Sequence, residues 1–134
     1  MDSALIEQIW RQAHDKCEYC RLPPVHSLLT FEIDHVIPRK HGGQTRLSNL
    51  ALSCFYCNSF KGSDLTGLDP KTGRLTKLFH PRRHQWTRHF RWEGPMLVGR
   101  TAIGRTTVAV LRINIPLRVE QREMLIQAGL FHPS

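Results

Sequence analysis

The chain has 134 residues, a formal net charge of +8 and 40% hydrophobic residues. A domain typically takes about 100–150 residues, so this length allows one domain with a small appendage and excludes a multidomain enzyme. No apolar run approaches the ~18 residues of a membrane-spanning helix, and the first three residues do not resemble a secretory signal. We therefore expect a soluble, cytoplasmic protein that has no membrane as a partner.

The first half of the chain predicts a helix followed by a strand, a loop, a strand and a short helix. Apolar residues recur at helical spacing after Ser3, which is a residue type that caps helices. Alternation and strand-forming residues identify the strands, and glycines identify the loop. In chain order, the predicted elements are a helix from Ser3 to His14 or Asp15, a strand over 28–34, a loop around Gly42 and Gly43, a strand over 49–53 and a helix over Phe55–Lys61 closed by Gly62.

The second half predicts a connector, a small sheet and a last helix. Gly, Pro and Asp are dense over 63–73, which is typical of turns, and a Gly-Pro turn separates two later apolar segments. The predicted elements are a turn-rich connector over 63–73, strands over 89–92, Met96–Gly99 and 105–113, a turn near Gly104, and a helix over 117–128 with Gly129 at its end. Together with the first half, these elements predict an α+β fold.

Four cysteines form two Cys-x-x-Cys pairs, Cys17 with Cys20 and Cys54 with Cys57, separated by 33 residues. Two such pairs are typical of a tetrahedral zinc site, whereas a redox motif needs only one pair. Four thiolate ligands leave no open position on the zinc ion, so we expect a structural Zn²⁺ site and look elsewhere for catalysis.

The positive charge is concentrated in one segment. Between Lys71 and Arg105 there are nine Lys and Arg residues against one acid, Glu93, while the rest of the chain is neutral. Charge alone leaves two interpretations open, a solvated face and a nucleic-acid interface, and the interleaved aromatic residues favour the second modestly. The candidate DNA contacts are Lys61, Arg82, Arg83 and Arg88.

Four polar residues have the chemistry that phosphodiester hydrolysis needs. His35 can act as a general base at cellular pH, and Asp34 and Asn58 offer the oxygen ligands that Mg²⁺ or Mn²⁺ prefers. Asn49 could orient the imidazole of His35. Successive strand residues point to opposite faces, so Asp34 and His35 can share one metal ion only if the strand end is distorted.

The motifs that carry a family resemblance are Cys17-x-x-Cys20, Glu32-Ile33-Asp34-His35-Val36-Ile37-Pro38, His41-Gly42-Gly43, Leu47-Ser48-Asn49-Leu50, Cys54-x-x-Cys57-Asn58 and Lys61-Gly62. In this combination, the chain resembles the HNH endonucleases in their four-cysteine form. The resemblance implies a ββα-metal (His-Me finger) nuclease core in which His35 is the general base and Asp34 and Asn58 bind a catalytic divalent ion. It also implies that Asn49 holds the loop and the base in place.

A second resemblance covers the rest of the chain. Leu78-Phe79-His80-Pro81-Arg82, Trp86, His89-Phe90 and Gly104-Arg105-Thr106-Thr107-Val108 resemble the tail of a group of small bacterial HNH proteins common in cyanobacteria. We expect 1–62 to form the N-terminal helix and the zinc-stapled nuclease core, and 63–134 to form a basic C-terminal extension packed on that core, with a β-hairpin sheet and a helix.

The sequence therefore predicts a metal-dependent endonuclease that hydrolyses DNA, with water as nucleophile and, as the resemblance implies, a 3′-hydroxyl leaving group. The alternative is a non-catalytic, zinc-stapled module that binds nucleic acid. Such a module needs the cysteines and the cations but none of Asp34, His35, Asn49 and Asn58. The sequence leaves open whether one strand or two are cut and whether the chain forms a homodimer.

Overall fold

A computed structural model describes residues 1–24 and 29–134, and these residues form a mixed α+β fold. In chain order, the helices and strands are α1 (Ser3–Gln12), β1 (Glu32–His35), β2 (Leu50–Ser53), α2 (Phe55–Lys61), β3 (Thr66–Leu68), β4 (Leu75–Lys77), α3 (Trp86–His89), β5 (Phe90–Glu93), β6 (Met96–Gly99), α4 (Ala102–Val110) and α5 (Pro116–Gln127). The strands pair in sequence order as three antiparallel hairpins. No helix within this described part of the chain is both long and apolar enough to cross a membrane.

The hairpin of β1 and β2, followed by α2, forms the ββα unit that the sequence predicts. Its register pairs His35 with Leu50, and the connection between the strands folds back through two short 3-10 segments, Arg39–His41 and Leu47–Asn49. Gly43 is required in this connection, because a Cβ atom there would lie 1.6 Å from the carbonyl oxygen of Ile37.

The predicted bounds of the helix over Phe55–Lys61 and of the strand over Met96–Gly99 match the structure. The strand predicted over 28–34 begins at Glu32, and Leu28 lies outside the described residues. The first helix is capped by Asp2 rather than Ser3, because the Asp2 carboxylate accepts a hydrogen bond from the Ala4 backbone N–H at 3.0 Å. It ends at Gln12, before the predicted end at His14 or Asp15.

The strand predicted over 105–113 is wrong, because these residues belong largely to helix α4. Thr101 caps this helix by accepting a hydrogen bond from the Gly104 N–H at 3.1 Å. The turn predicted near Gly104 is wrong for a related reason. Gly104 lies inside the helix, where a Cβ atom would be 2.0 Å from the carbonyl oxygen of His89. This glycine allows a close approach of two backbones rather than a turn.

The segment 63–73, predicted to be a connector without secondary structure, contains strand β3, which pairs with β4. Asp69 organises the turn between these strands by accepting hydrogen bonds from the Lys71 N–H and the Thr72 hydroxyl. Its carboxylate also accepts two hydrogen bonds from Arg105 on α4, at 3.0 and 2.9 Å. The pairing of β3 depends on β4, which follows the turn, and on the contact between Asp69 and Arg105 of α4, which comes much later in the chain. The residues of 63–73 alone therefore do not predict the strand.

A single hydrophobic cluster joins the ββα unit to the C-terminal extension. It includes Cys17 and Tyr19 from the first part of the chain together with Phe79, Phe90 and Leu111 from the second. A smaller cluster packs α1 against β2. The extension therefore shares its core with the residues that surround the cysteine pairs.

Candidate functional site

The four cysteines are brought together as their spacing predicts. The sulfur atoms of Cys17, Cys20, Cys54 and Cys57 all lie within 4.8 Å of one another, and all four residues are buried. Four sulfur ligands at one point fit a metal ion, and Zn²⁺ is the ion that such a donor set favours. Burial raises the pKa of the Cys17 and Cys57 thiols, so binding of an ion here would release protons.

Arg118 of α5 is a partner of this cluster that the sequence analysis did not identify. Its guanidinium donates hydrogen bonds to the sulfur atoms of Cys57 at 3.1 Å and Cys54 at 3.7 Å, and to the carbonyl oxygen of Leu111 at 2.7 Å. A buried cation at this position offsets the negative charge that four thiolates would carry. The local sequence of α5 contains no signal of this role, because the partners lie about 60 residues earlier in the chain.

Asp34 of β1 points into the protein interior and is 5% exposed. Tyr19 donates its hydroxyl hydrogen to Asp34 Oδ2 at 2.6 Å, and the ammonium nitrogen of Lys61 lies 3.2 Å from Oδ1 and 3.1 Å from Oδ2. Burial raises the pKa of Asp34, and the Lys61 cation opposes that rise. Both carboxylate oxygens therefore accept hydrogen bonds inside the protein.

Lys61 is itself 1% exposed, and its ammonium group contacts both Asp34 and His35 of β1. Besides Asp34, its ammonium group donates to the backbone carbonyl oxygen of His35 at 3.3 Å. This position differs from that of a surface phosphate contact, which the sequence analysis allowed for Lys61. In this structure, Lys61 neutralises a buried carboxylate.

His35 follows Asp34 on the strand and is more accessible to solvent. Its Nε2 atom lies 2.8 Å from the hydroxyl oxygen of Thr45, which belongs to the connection between β1 and β2. The two side chains thus have different neighbours, as the alternation of a strand requires. Thr45 is a second residue that the sequence analysis did not single out.

Asn49 is 7% exposed and holds the connection between β1 and β2 in place. Its Oδ1 accepts a hydrogen bond from the Ile37 N–H at 2.9 Å, while its Nδ2 donates to the carbonyl oxygens of Ile37 at 3.0 Å and Gln44 at 2.9 Å. Gln44 directly precedes Thr45. Asn49 therefore fixes the backbone on both sides of the segment that carries the partner of His35.

Asn58 lies on α2 immediately after Cys57 and is half-buried. Among the described residues, its side chain makes no hydrogen bond, so its amide oxygen is available to a ligand. The carboxylate of Asp34 and the amide of Asn58 are hard oxygen donors that fit Mg²⁺ or Mn²⁺ in kind. A divalent ion on Asp34 would share that carboxylate with the ammonium group of Lys61.

The four predicted DNA contacts differ in accessibility. Arg82 uses its guanidinium inside the molecule, in an ion pair with Glu18 and a hydrogen bond to the Leu50 carbonyl oxygen at 3.1 Å. Arg83 and Arg88 are exposed, and two of the four predicted contacts, Arg82 and Arg83, line an open groove. This groove of about 470 Å³ is also lined by His41, Arg46 and Asn49. The loop fixed by Asn49 thus forms one wall of a basic groove.

Comparison with known proteins supports the interpretation of residues 17–64 as a nuclease core. No curated protein matches the chain. The family match ends at residue 64, so the resemblance of the tail to bacterial proteins stays a prediction. Residues 17–64, which contain both cysteine pairs, β1, β2 and α2, match the model of the HNH endonuclease family, a family of nucleases that act on nucleic acids with a divalent metal ion.

Proposed function

We propose that the protein is an HNH endonuclease that hydrolyses DNA phosphodiester bonds with His35 as the general base. The observation that carries this proposal is the His35–Thr45 contact at 2.8 Å within the segment that matches the nuclease family. A neutral imidazole that donates its Nε2–H to Thr45 keeps the Nδ1 lone pair available. Nδ1 can then accept a proton from the attacking water.

Asn49 and Thr45 act together to position this base. Asn49 holds the backbone of Ile37 and Gln44, and Thr45 follows Gln44. The hydroxyl of Thr45 thereby has a fixed position relative to β1, and its contact with Nε2 holds the imidazole of His35 in one orientation. We assign Asn49 and Thr45 as positioning residues.

Asp34 and Asn58 would hold the catalytic divalent ion, Mg²⁺ or Mn²⁺. Such an ion supplies positive charge that offsets the charge on the scissile phosphate and on the leaving 3′ oxygen. Lys61 keeps Asp34 charged and ordered before the ion binds, because an unpaired carboxylate at this depth would be unstable. The four cysteines would hold a structural Zn²⁺ ion, separate from the site of reaction.

The DNA backbone would follow the basic groove. Arg83, Arg46 and His41 line this groove beside the loop that carries Thr45, and Arg88 lies on the same C-terminal extension as Arg83. We propose Arg83 and Arg88 as phosphate contacts. Arg82 and Lys61, by contrast, would not contact DNA. Their ion pairs with Glu18 and Asp34 would stabilise the site to which DNA binds.

A plasmid assay tests this function. Wild-type protein with Mg²⁺ or Mn²⁺ should nick or linearise supercoiled DNA, and a chelator of the divalent ion should stop the reaction. His35→Ala should lower the cleavage rate by roughly 10²-fold or more with unchanged DNA affinity. Raised Mn²⁺ should partly rescue Asp34→Ala and Asn58→Ala but not His35→Ala.

His132→Ala is the matched control, because His132 is exposed and lies near the C-terminus. It should cleave at the wild-type rate. If His35→Ala also cleaves at that rate, the assignment of His35 as general base is wrong. If wild-type protein binds DNA but never cleaves it with either ion, the alternative of a non-catalytic binding module replaces it.

A further inference from the structure

A cavity of about 210 Å³ lies between the end of β1, the end of α2 and the segment 77–84. It is distinct from the basic groove described above, although Ile37 and Arg83 line both. Lys61, which binds Asp34, also lines this cavity. The cavity therefore adjoins the lysine that pairs with Asp34, the carboxylate proposed to hold the catalytic ion.

The walls of the cavity combine an apolar surface with exposed charges, which are two cations, Lys77 and Arg83, and one acid, Asp64. The apolar part comes from Val36, Leu65, Leu78 and Phe79. Lys77 and Arg83 are exposed cations of this wall, and neither forms an ion pair within the described part of the chain. A nucleotide matches both features of the cavity, because its flat base can lie on the apolar surface and its phosphate can contact the cations.

His80 contributes a buried donor that has no acceptor. His80 is one of the residues that line the cavity, and it is 6% exposed. Its Nδ1 accepts a hydrogen bond from the Arg82 N–H at 3.1 Å, so the neutral ring carries its proton on Nε2. Nε2 is buried and has no hydrogen-bond partner among the described residues. Buried polar groups in native proteins are almost always paired, which indicates that a ligand completes this one.

The charge state of His80 agrees with this role. Burial, together with the positive charge of Arg83, lowers the pKa of His80 to about 4. The ring is therefore neutral at physiological pH and offers one N–H donor. A neutral donor suits the carbonyl oxygens and ring nitrogens at the edge of a base.

We propose that this cavity binds one unpaired nucleotide of the DNA strand next to the cleavage site. The base lies against the apolar wall, the His80 Nε2–H donates to its edge, and Lys77 and Arg83 contact the phosphate. A base that remains stacked and paired in a duplex cannot enter such a cavity. The inference rests on the proposed function, and it adds a preference for DNA that contains an unpaired nucleotide.

The test measures binding rather than cleavage. Full-length His35→Ala protein, with no Mg²⁺ or Mn²⁺ added, is titrated against three fluorescent DNAs. These are a fully paired duplex, the same duplex with one unpaired nucleotide, and a single strand. We expect about 10-fold tighter binding of the duplex with the unpaired nucleotide, the scale of one stacked base.

Two substitutions of His80 separate its donor from its structural role. His80→Asn keeps an acceptor for the Arg82 N–H but removes the Nε2 donor, whereas His80→Gln places a donor near the Nε2 position. We expect Asn to remove most of the 10-fold preference and Gln to restore part of it. Melting temperature and zinc content identify any variant that fails to fold, and His14→Asn, at an exposed position near α1, is the control.

Equal affinity for the paired duplex and the duplex with an unpaired nucleotide would overturn the inference. A deoxynucleoside monophosphate that binds in a His80-dependent manner, without any preference among the DNAs, would overturn the assignment to a DNA strand. Because the titration needs no catalysis, these results are independent of the plasmid assay. Nuclease activity without the preference would remove the inference and leave the proposed function intact.

Discussion

Adjacent residues on β1 have separate chemical environments, and the backbone geometry explains why. Asp34 faces the interior, where Tyr19 and Lys61 bind its carboxylate, and His35 faces the connection that carries Thr45. The alternation of side chains along a strand places a buried charge and an accessible base one residue apart. Two residues of one short motif can thereby serve different roles without sharing a surface.

The contact between Thr45 and His35 leads to the first prediction. Thr45→Val removes the hydroxyl that contacts Nε2, so the imidazole loses its fixed orientation, and we expect roughly a 10-fold lower single-turnover cleavage rate. Thr45→Ser retains the hydroxyl and should restore the rate. KM for DNA should be unchanged in both variants, so the loss in Thr45→Val should appear in kcat alone. A wild-type rate in Thr45→Val would show that Thr45 does not position the base.

Lys61 leads to a second prediction about a single residue. Lys61→Met leaves the buried Asp34 carboxylate without its cation, and breaking such a pair costs about 3 kcal/mol of unfolding free energy. A divalent ion on Asp34 would replace the missing charge, so Mn²⁺ should raise the melting temperature of Lys61→Met more than that of the wild type.

Lys40→Met, at an exposed position, is the control for this pair of measurements and should behave as the wild type. Thermal unfolding is measured once with a chelator of Mn²⁺ and once with added Mn²⁺. The first measurement gives the loss of stability, and the difference between the two gives the rise in melting temperature that Mn²⁺ causes. Equal Mn²⁺ shifts for wild type and Lys61→Met would contradict the idea that the lysine and the ion share Asp34.

The helices and strands differ in how far local sequence determines them. The sequence predicts helix α2 with its observed bounds, because the helical segment Phe55–Lys61 is followed directly by Gly62. Helix α4 was predicted as a strand, because Thr106, Thr107, Val108 and Val110 have the side chains that strands favour. Its helical form follows from the Thr101 cap and from contacts with β3, β4 and β6 that no local pattern contains. Pairing of β3 with β4 was missed for the same reason.

The candidate site shows the same limit of sequence reasoning. The cysteine cluster was predictable, because a repeated short spacing identifies a metal site. The pairing of Lys61 with Asp34, and of Arg118 with Cys54 and Cys57, was not, since each contact joins segments distant in sequence. Arg82 was predicted to contact DNA on charge alone, although its guanidinium is held by Glu18. Charge composition does not reveal which cations are already paired.

The packing of α4 predicts that a Gly→Ala substitution within this helix destabilises the protein. In an exposed helix interior, Gly→Ala stabilises by about 1 kcal/mol. Gly104→Ala should instead destabilise the protein by roughly 1–3 kcal/mol, because the new Cβ would lie 2.0 Å from the His89 carbonyl oxygen. Urea denaturation measures both this variant and the control Ala109→Gly, which lies on the exposed side of α4 and should cost about 1 kcal/mol. A stabilising Gly104→Ala would contradict the close packing of α4 against the backbone at His89, the last residue of α3.

At the scale of the whole molecule, the cysteine cluster lies where the two parts of the chain meet. Cys17, Cys20, Cys54 and Cys57 belong to the same hydrophobic cluster as Phe79 and Leu111 of the extension. Arg118 adds a polar link, since it donates both to the sulfur atoms and to the carbonyl oxygen of Leu111. The extension therefore covers the metal site and depends on it, which is the arrangement expected of one cooperative unit.

Removal of the metal should consequently unfold the extension as well as the ββα unit. A strong chelator should abolish the near-ultraviolet signal of Trp86 and Trp92, which lie in the extension, in the same transition as the far-ultraviolet signal. Arg118→Met should lose zinc roughly 10-fold faster than the wild type, because the cation beside the thiolates is gone. Arg74→Met, an exposed control, should lose zinc at the wild-type rate. If the tryptophan signals persist after the zinc has left, residues 63–134 fold independently, and the shared core does not couple the two parts of the chain.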